Sequence, residues 1–262
     1  MRDSGPIGVF DSGIGGLTIA RKIRELMPCE DILYVADSGH APYGDRPDRY
    51  ILERSFAVTD FLLSRQVKAV VVACNTATTT CISELRAKYP VPFIGVEPGV
   101  KPAVLNSKSG VVGILATTKT LVTDSFTELA KRVSDGIRVE VMPCPELVVQ
   151  IESLKLSYEE TAGLVGKYVH PLLARGADTI VLGCTHYAHL APVIAQVAGP
   201  DVSIISTELA VANEVCRRLE SQGLTATNST TGGEEFWSSG ELALFQAQVQ
   251  HFWGPSSLVR QF

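Results

Sequence analysis

The sequence predicts an α/β fold made of two pseudo-symmetric α/β lobes, with mostly parallel sheets and the active site in the cleft between them. Three observations lead there. Short apolar runs alternate with longer amphipathic stretches along the chain, the pattern of strands joined by helical crossovers. The pattern also repeats. Gly8-Val9-Phe10-Asp11-Ser12 recurs as Gly113-Ile114-Leu115-Ala116-Thr117, Cys74 recurs as Cys184, and Ile94-Gly95-Val96-Glu97 recurs as Ile205-Ser206-Thr207-Glu208, at nearly equal spacings. Finally, two apolar runs, Val67–Ala73 and Gly176–Gly183, end alike, in a cysteine followed by hydrogen-bonding side chains.

Taken in order, the predicted strands are Ile7–Phe10, Ile32–Ala36, Ala69–Ala73, Phe93–Val96, Val111–Leu115, Arg138–Met142, Thr179–Gly183 and Ser203–Ser206. Each is a short apolar run bounded by turn-forming or polar residues. Helices are predicted over Gly16–Leu26, Asp48–Arg65, Ala77–Tyr89, Lys119–Ser134, Ser157–Arg175 and Thr207–Gln222. Their apolar residues recur at helical spacing. The first lobe is expected over residues 1–97 and the second over 98–208. Residues 209–262 return to the first lobe, because Ala243–Trp253 reads as an amphipathic helix. The Thr225–Gly233 stretch, rich in Thr, Ser, Asn and Gly, is a surface connection.

Composition narrows the function. Hydrophobic residues make up 45% of the 262 residues and charged residues 19%, which suits a well-packed protein and excludes disorder. A net charge of −5 and the lack of any Lys/Arg block argue against a nucleic-acid partner and for a small substrate. No apolar stretch is long enough to span a membrane, and no apolar region follows the N-terminus as in a secretory signal. The six cysteines form no CxxC pair, so free thiols in a reducing cytoplasm are expected.

Several loops carry residues suited to chemistry. Phe10-Asp11-Ser12-Gly13-Ile14-Gly15-Gly16-Leu17-Thr18 follows a strand and opens a helix. Its glycines permit tight turns, and free N–H groups at a helix start favour an anion. The spacing departs from GxGxxG and no Walker lysine follows, so a small carboxylate is a better guest than a dinucleotide. Asp11 then serves to pair with a substrate ammonium or to orient a base, or else simply caps the helix. Pro42-Tyr43-Gly44 fixes a loop with a phenol and a backbone N–H near the cleft mouth, although a plain β-α loop reads much the same.

Cys74 stands where Asn75 and Thr76 begin a helix, a position that favours thiolate. In Cys184-Thr185-His186-Tyr187-Ala188-His189, a metal reading lacks the partner cluster that would complete a shell, so no metal is expected. His186 is more economical as the acid/base partner of the thiol, with His189 on the helix surface. Glu152 could mirror Asp11, although a lone glutamate is usually solvated. Cys29, Cys81, Cys144 and Cys216 read as small hydrophobes. Two thiols point to a proton removed from one face of a carbon and returned on the other.

Together these residues resemble the glutamate racemase family, within the aspartate/glutamate racemase superfamily of cofactor-independent enzymes. The matching pieces are Phe10 to Leu17, Asp37 to Gly44, Ala73-Cys74-Asn75-Thr76-Ala77, Gly95-Val96-Glu97-Pro98 and Gly183-Cys184-Thr185-His186-Tyr187, in family order. The sequence departs from the family pattern at Thr78-Thr79-Thr80, at Ala188 and at Ile205-Ser206-Thr207-Glu208.

The resemblance implies a two-lobed fold, no cofactor, and interconversion of L- and D-glutamate that supplies D-glutamate for peptidoglycan in the bacterial cytoplasm. It implies that Cys74 takes the proton from D-glutamate and Cys184 from L-glutamate. Asp11 and His186 assist them respectively, with Glu152 a further helper. Ser12, Tyr43, Gly44, Asn75, Thr76 and Thr185, together with Asp11 and His186, would hold the substrate. Family members commonly pair, so a homodimer is left open. The rival readings are an aspartate racemase or related diacid isomerase of the same superfamily, and a non-catalytic amino-acid-binding protein.

Overall fold

A computed structural model describes residues 5–97, 99–121, 136–227 and 229–262. The chain divides into two compact units. One contains Met1–Val96 and Glu208–Phe262, the other Glu97–Thr207.

The first unit is built on a six-stranded sheet. Its strands are β1 (Ile7–Asp11), β2 (Ile32–Ala36), β3 (Ala69–Val72), β4 (Phe93–Gly95), β9 (Glu234–Ser238) and β10 (Val259–Gln261). They lie in the order β10-β9-β2-β1-β3-β4, and every pair is parallel. Strands β1, β2 and β3 are buried along their whole length, as near-continuous apolar runs in a covered parallel sheet must be. Phe10, Leu33, Val35, Val70 and Val72 form one core with Ile51, Val58 and Leu62 of the helix Asp48–Ser64 and with Ala77, Cys81 and Leu85 of the helix Asn75–Lys88. Side-chain alternation sends Val9, Tyr34 and Val71 to the opposite face. Helix Leu17–Leu26 packs against helix Glu208–Ser221.

The second unit has a four-stranded parallel sheet in the order β6-β5-β7-β8. Its strands are β5 (Val111–Ala116), β6 (Arg138–Pro143), β7 (Thr179–Leu182) and β8 (Ser203–Ile205). Val112, Ile114, Ala116 and Val181 pack with Val100 and Ala103 of the helix Val100–Asn106. Helix Tyr158–Ala174 packs beside helix Ala191–Ala198.

The repeat seen in the sequence is physical. Each sheet places its first strand between its second and third, with the fourth outside the third. Gly8 in β1 and Gly113 in β5 are equivalent. A Cβ on Gly8 would meet Leu62 Cδ2 at 3.1 Å, and one on Gly113 would meet Leu172 Cδ1 at 2.8 Å, so a bare backbone lets the same helix sit down on each sheet. Both helices end the same way. In one, the N–H groups of Arg65 and Val67 bond to Leu62 O; in the other, those of Arg175 and Ala177 bond to Leu172 O. The residue turning the chain is Gln66 at φ 60° in the first unit and Gly176 at φ 92° in the second.

All eight predicted strands are present, with shifts of a residue at several ends. The predicted helix Ala77–Tyr89 begins two residues earlier, at Asn75. The predicted helix Lys119–Ser134 lies mostly outside the described residues, which show only the helical turn Thr118–Leu121. The C-terminal return includes the expected helix, Leu242–Phe252, and adds β9 and β10 to the sheet, which the sequence reading lacked. Only Phe236 and Trp237 make an apolar core in β9, and Val259-Arg260-Gln261 is mostly polar, so neither gives a strand signal of its own. The Thr225–Gly233 connection is pinned to the start of β2 by bonds from Ala226 N to Glu30 Oε1 and from Gly233 N to Asp31 Oδ1.

Candidate active-site residues

In the first unit, Ala73 N–H bonds to Phe10 O at 2.7 Å and prolongs β3 beside β1. Cys74 follows in extended conformation and is the N-cap of the helix Asn75–Lys88. Its Sγ accepts the Ala77 N–H at 3.5 Å and lies 3.7 Å from Ser12 Oγ. An amide and a hydroxyl at the positive end of a helix are groups that stabilise a thiolate. The pairing of β1 with β3 is what brings Ser12 next to Cys74.

Asp11, fully buried, ends β1. Its carboxylate accepts the N–H of Ser12 and of Gly16, both at 2.7 Å, and the Ser12 hydroxyl at 3.3 Å. These two amides of the glycine loop are therefore committed to the protein's own carboxylate, which narrows the anion seat expected there. Asp11 also sits next to the thiol's hydroxyl partner, so it orients Ser12 directly.

Asn75 is buried. Its Nδ2 donates to Val96 O at 3.4 Å, while its Oδ1 is buried without a hydrogen-bond partner among the described residues. A buried amide oxygen left open costs free energy unless a ligand donor fills it. Thr76 is buried beside it. Thr78, one of the departures from the family pattern, clamps the ends of two strands. Its hydroxyl donates to Val72 O at 3.1 Å and accepts from Val96 N at 3.0 Å.

Tyr43 is fully buried and its phenol donates to Asp37 Oδ2 at 2.6 Å. Asp37 also receives Arg54 at 2.8 and 3.0 Å and the Ser239 hydroxyl at 2.7 Å. Burial works against the Asp37 charge, but these bonds and the Arg54 guanidinium hold its carboxyl below the usual range. Burial, then the Asp37 and Cys74 charges, push the Tyr43 phenol far up, so it remains a donor. That donor serves Asp37, which leaves the phenol oxygen and the half-buried Gly44 backbone for other use. The Arg54 and Ser239 partners of Asp37 are not singled out in the sequence, because they lie outside its loop.

In the second unit, Gly183 N–H bonds to Leu115 O at 2.7 Å and Cys184 follows in extended conformation, ahead of the 3-10 helix Thr185–Leu190. Cys184 Sγ lies 3.7 Å from His186 Nδ1, and His186 Nε2 lies 2.6 Å from Glu152 Oε1. Glu152 is the last residue of the helix Pro145–Glu152. Burial opposes charge on His186, but the contacts to Cys184 and Glu152 outweigh it and hold the imidazole well above its ordinary value. The result is a thiol, imidazole and carboxylate in line, a group able to hold or move a proton at Cys184 Sγ. Thr185 is buried in the same turn, and His189 is half-buried.

The other cysteines differ. Burial pushes the Cys81 thiol up to about 11 and the Cys144 thiol higher still, so both stay protonated. All six cysteines are free. Among the described residues no group of three or more His, Cys, Asp or Glu side chains could hold a metal, and no helix is long and apolar enough to cross a membrane.

Residues 17–215 match the model of the Asp/Glu/Hydantoin racemase family. A glutamate racemase from Methylococcus capsulatus is 52% identical over 255 residues, covering 97% of this chain and 94% of that protein. The crystal structure of a glutamate racemase isoform from Bacillus anthracis is similar with a TM-score of 0.90 at 31% identity, covering 100% of this chain and 98% of that one. That of Escherichia coli glutamate racemase, in complex with L-glutamate and the activator UDP-MurNAc-ala, is similar with a TM-score of 0.86 at 28% identity, covering 98% of each chain.

Proposed function

The chain belongs to the Asp/Glu/hydantoin racemase family, and from that premise we propose that it interconverts L- and D-glutamate by a cofactor-independent two-base reaction with Cys74 and Cys184 as the bases. One sulfur starts as thiolate and the other as thiol. The Cys74 thiolate takes the α-proton of D-glutamate and becomes a thiol, while the Cys184 thiol gives its proton to the opposite face and becomes a thiolate. The product is L-glutamate, and the reverse reaction exchanges the two roles. The α-proton is held far more tightly than a thiol proton, so donors must stabilise the carbanion-like transition state away from water.

The observation that carries this reading is the pair of buried cysteines at equivalent strand ends of a duplicated fold, each with its own proton-handling partners. A hydrolase using covalent cysteine chemistry needs one such thiol. Asp11 and Ser12 serve Cys74, and His186 with Glu152 serves Cys184. The open Asn75 Oδ1 suits the substrate ammonium, and Thr76, Thr185, Tyr43 and Gly44 complete the polar contacts. The product D-glutamate would feed peptidoglycan synthesis in the cytoplasm.

The test is substitution of each thiol. Cys74→Ser and Cys184→Ser should each lower racemisation by at least about 10³-fold with an unchanged circular dichroism spectrum. Near-wild-type turnover by either variant would defeat the two-base reading. Solvent deuterium must appear at the α-carbon during turnover, and an aspartate assay run beside it measures selectivity.

A further inference from the structure

Tyr187 is fully buried and follows His186, yet none of the chemistry above uses it. Its position is unusual for a core aromatic. The phenol donates to the backbone oxygen of Cys144 at 2.8 Å, and its own N–H bonds back to Cys184 O at 3.1 Å. Cys144 N–H is tied to Ala116 O at 3.1 Å, and Gly183 N–H to Leu115 O at 2.7 Å. Two flanking segments thus hang from the end of the central strand β5. One leads into the Cys184 turn and the other into the helix Pro145–Glu152. The Tyr187 hydroxyl is a side-chain bond between those segments, made at the root of the helix whose last residue holds His186.

We propose that Tyr187 is a positioning residue, a strut that sets the spacing between the Cys184–His186 turn and the helix bearing Glu152. The proposal rests on the reading of Cys184 as a base. A bond of 2.6 Å from His186 to Glu152 and a contact of 3.7 Å from His186 to Cys184 leave little slack, because a ring pulled toward one partner retreats from the other. The strut fixes where the turn stands relative to the carboxylate. Its donor is always available, since burial keeps the phenol protonated. Phenylalanine would fill the same volume, so a purely space-filling role predicts no chemical change.

The test compares two thiols in one molecule. Iodoacetamide alkylation of Cys184 and Cys74 is followed by peptide mass spectrometry in the wild type, in Tyr187→Phe and in Tyr168→Phe. Tyr168→Phe removes a different phenol of the same unit, one bonded to Glu146. In Tyr187→Phe, alkylation of Cys184 should slow about threefold to tenfold while Cys74 keeps its rate. The same variant should lose kcat by a similar factor with KM unchanged. Tyr168→Phe should leave both thiols alone.

Gly183→Ala reaches the turn from the other side, because its Cβ would meet Leu115 O at 2.9 Å and Ala116 Cβ at 3.0 Å. It should give the same selective slowing at Cys184 with the phenol intact, and so calibrates how a displaced turn changes the alkylation ratio. Unchanged rates at both thiols, or equal changes at both, would overturn the strut. The alkylation ratio does not depend on turnover, so a wild type that failed to racemise would defeat the proposed function without deciding the strut.

Discussion

Cys74 and Cys184 leave equivalent strands through nearly identical backbone, with φ −137° and ψ 118° at one and φ −139° and ψ 135° at the other. Around that common turn the two units diverge. Cys74 meets dipoles: a helix amide and a hydroxyl steadied by Asp11. Cys184 meets an ionisable imidazole backed by a carboxylate. The duplicated fold therefore delivers sulfur by backbone geometry alone, and side chains are free to differ. On the two-base proposal this suits a pair of mirror-image substrates, which ask the same chemistry of two sulfurs in different surroundings.

The contrast extends below the site. The residue just before β3 is Lys68, buried in an ion pair with Glu30, whereas the residue just before β7 is Asp178, which accepts Lys108 N and Ser109 N at 2.7 Å and Ser107 Oγ at 2.8 Å. One unit steadies the root of its thiol strand with a buried charge pair, the other with a carboxylate gathering backbone amides.

The largest way to break the comparison, short of removing a thiol, is His186→Asn. It should lower kcat/KM about 10²-fold by removing the acid/base partner of Cys184. Enantiomers have equal free energy, so the loss in kcat/KM must match in both directions, and the damaged base is identified by isotope effects. α-Deuterated L-glutamate should show the larger effect in His186→Asn. Against burial, contacts to Cys184 and Glu152 hold the imidazole well above its ordinary value, so wild-type activity should fall as pH rises through that raised value, a limb that His186→Asn lacks. Ser12→Ala should be milder, about threefold to tenfold, with the larger isotope effect on α-deuterated D-glutamate. Equal isotope effects for both enantiomers in both variants would erase the proposed division of labour.

Smaller effects sharpen the comparison of strand roots. Burial opposes the Asp178 charge, but bonds from Ser107, Ser109, Lys108 and Thr179 hold its carboxyl at about 2, below the ordinary 3.8. A depressed carboxyl stabilises the fold above its ordinary value and ceases to do so as pH falls through the depressed one. Asp178→Asn should therefore cost about 1 kcal/mol at neutral pH, allowing for solvent screening. Its urea midpoint should converge on the wild type as pH drops from 3.8 toward about 2. Smallest of all, Gln66→Gly should raise stability by about 0.5 kcal/mol, because Gln66 holds the left-handed turn that Gly176 supplies in the other unit. An unchanged midpoint would mean that other contacts of Gln66 offset its strain.

Much of this was legible in the chain because parallel buried strands advertise themselves as apolar runs, and because two copies check each other. The elements that escaped are the ones whose stability is borrowed. Strand β10 is the edge of the sheet and β9 lies next to it, and both carry charged residues such as Glu234, Glu235 and Arg260. The short helices Val100–Asn106, Pro145–Glu152 and Ala191–Ala198 carry too few turns to show a period. At the site, Cys184 and His186 are two residues apart and could be paired by eye. The bond from Glu152 to His186, and the gathering of Arg54 and Ser239 around Asp37, join positions apart in the chain, which no local pattern encodes.

The way the first sheet is completed also sets a timetable on the ribosome. The second unit is one continuous run and can close once residue 207 has emerged. The first unit must wait. Its strand β2 has only β1 beside it until Glu234–Ser238 is made, and Phe61 meets Trp237 and Phe262 no sooner. The unit whose strands are made first is thus completed after the other, and a nascent chain stalled between residue 207 and Glu234 would carry an open sheet edge of the kind chaperones recognise.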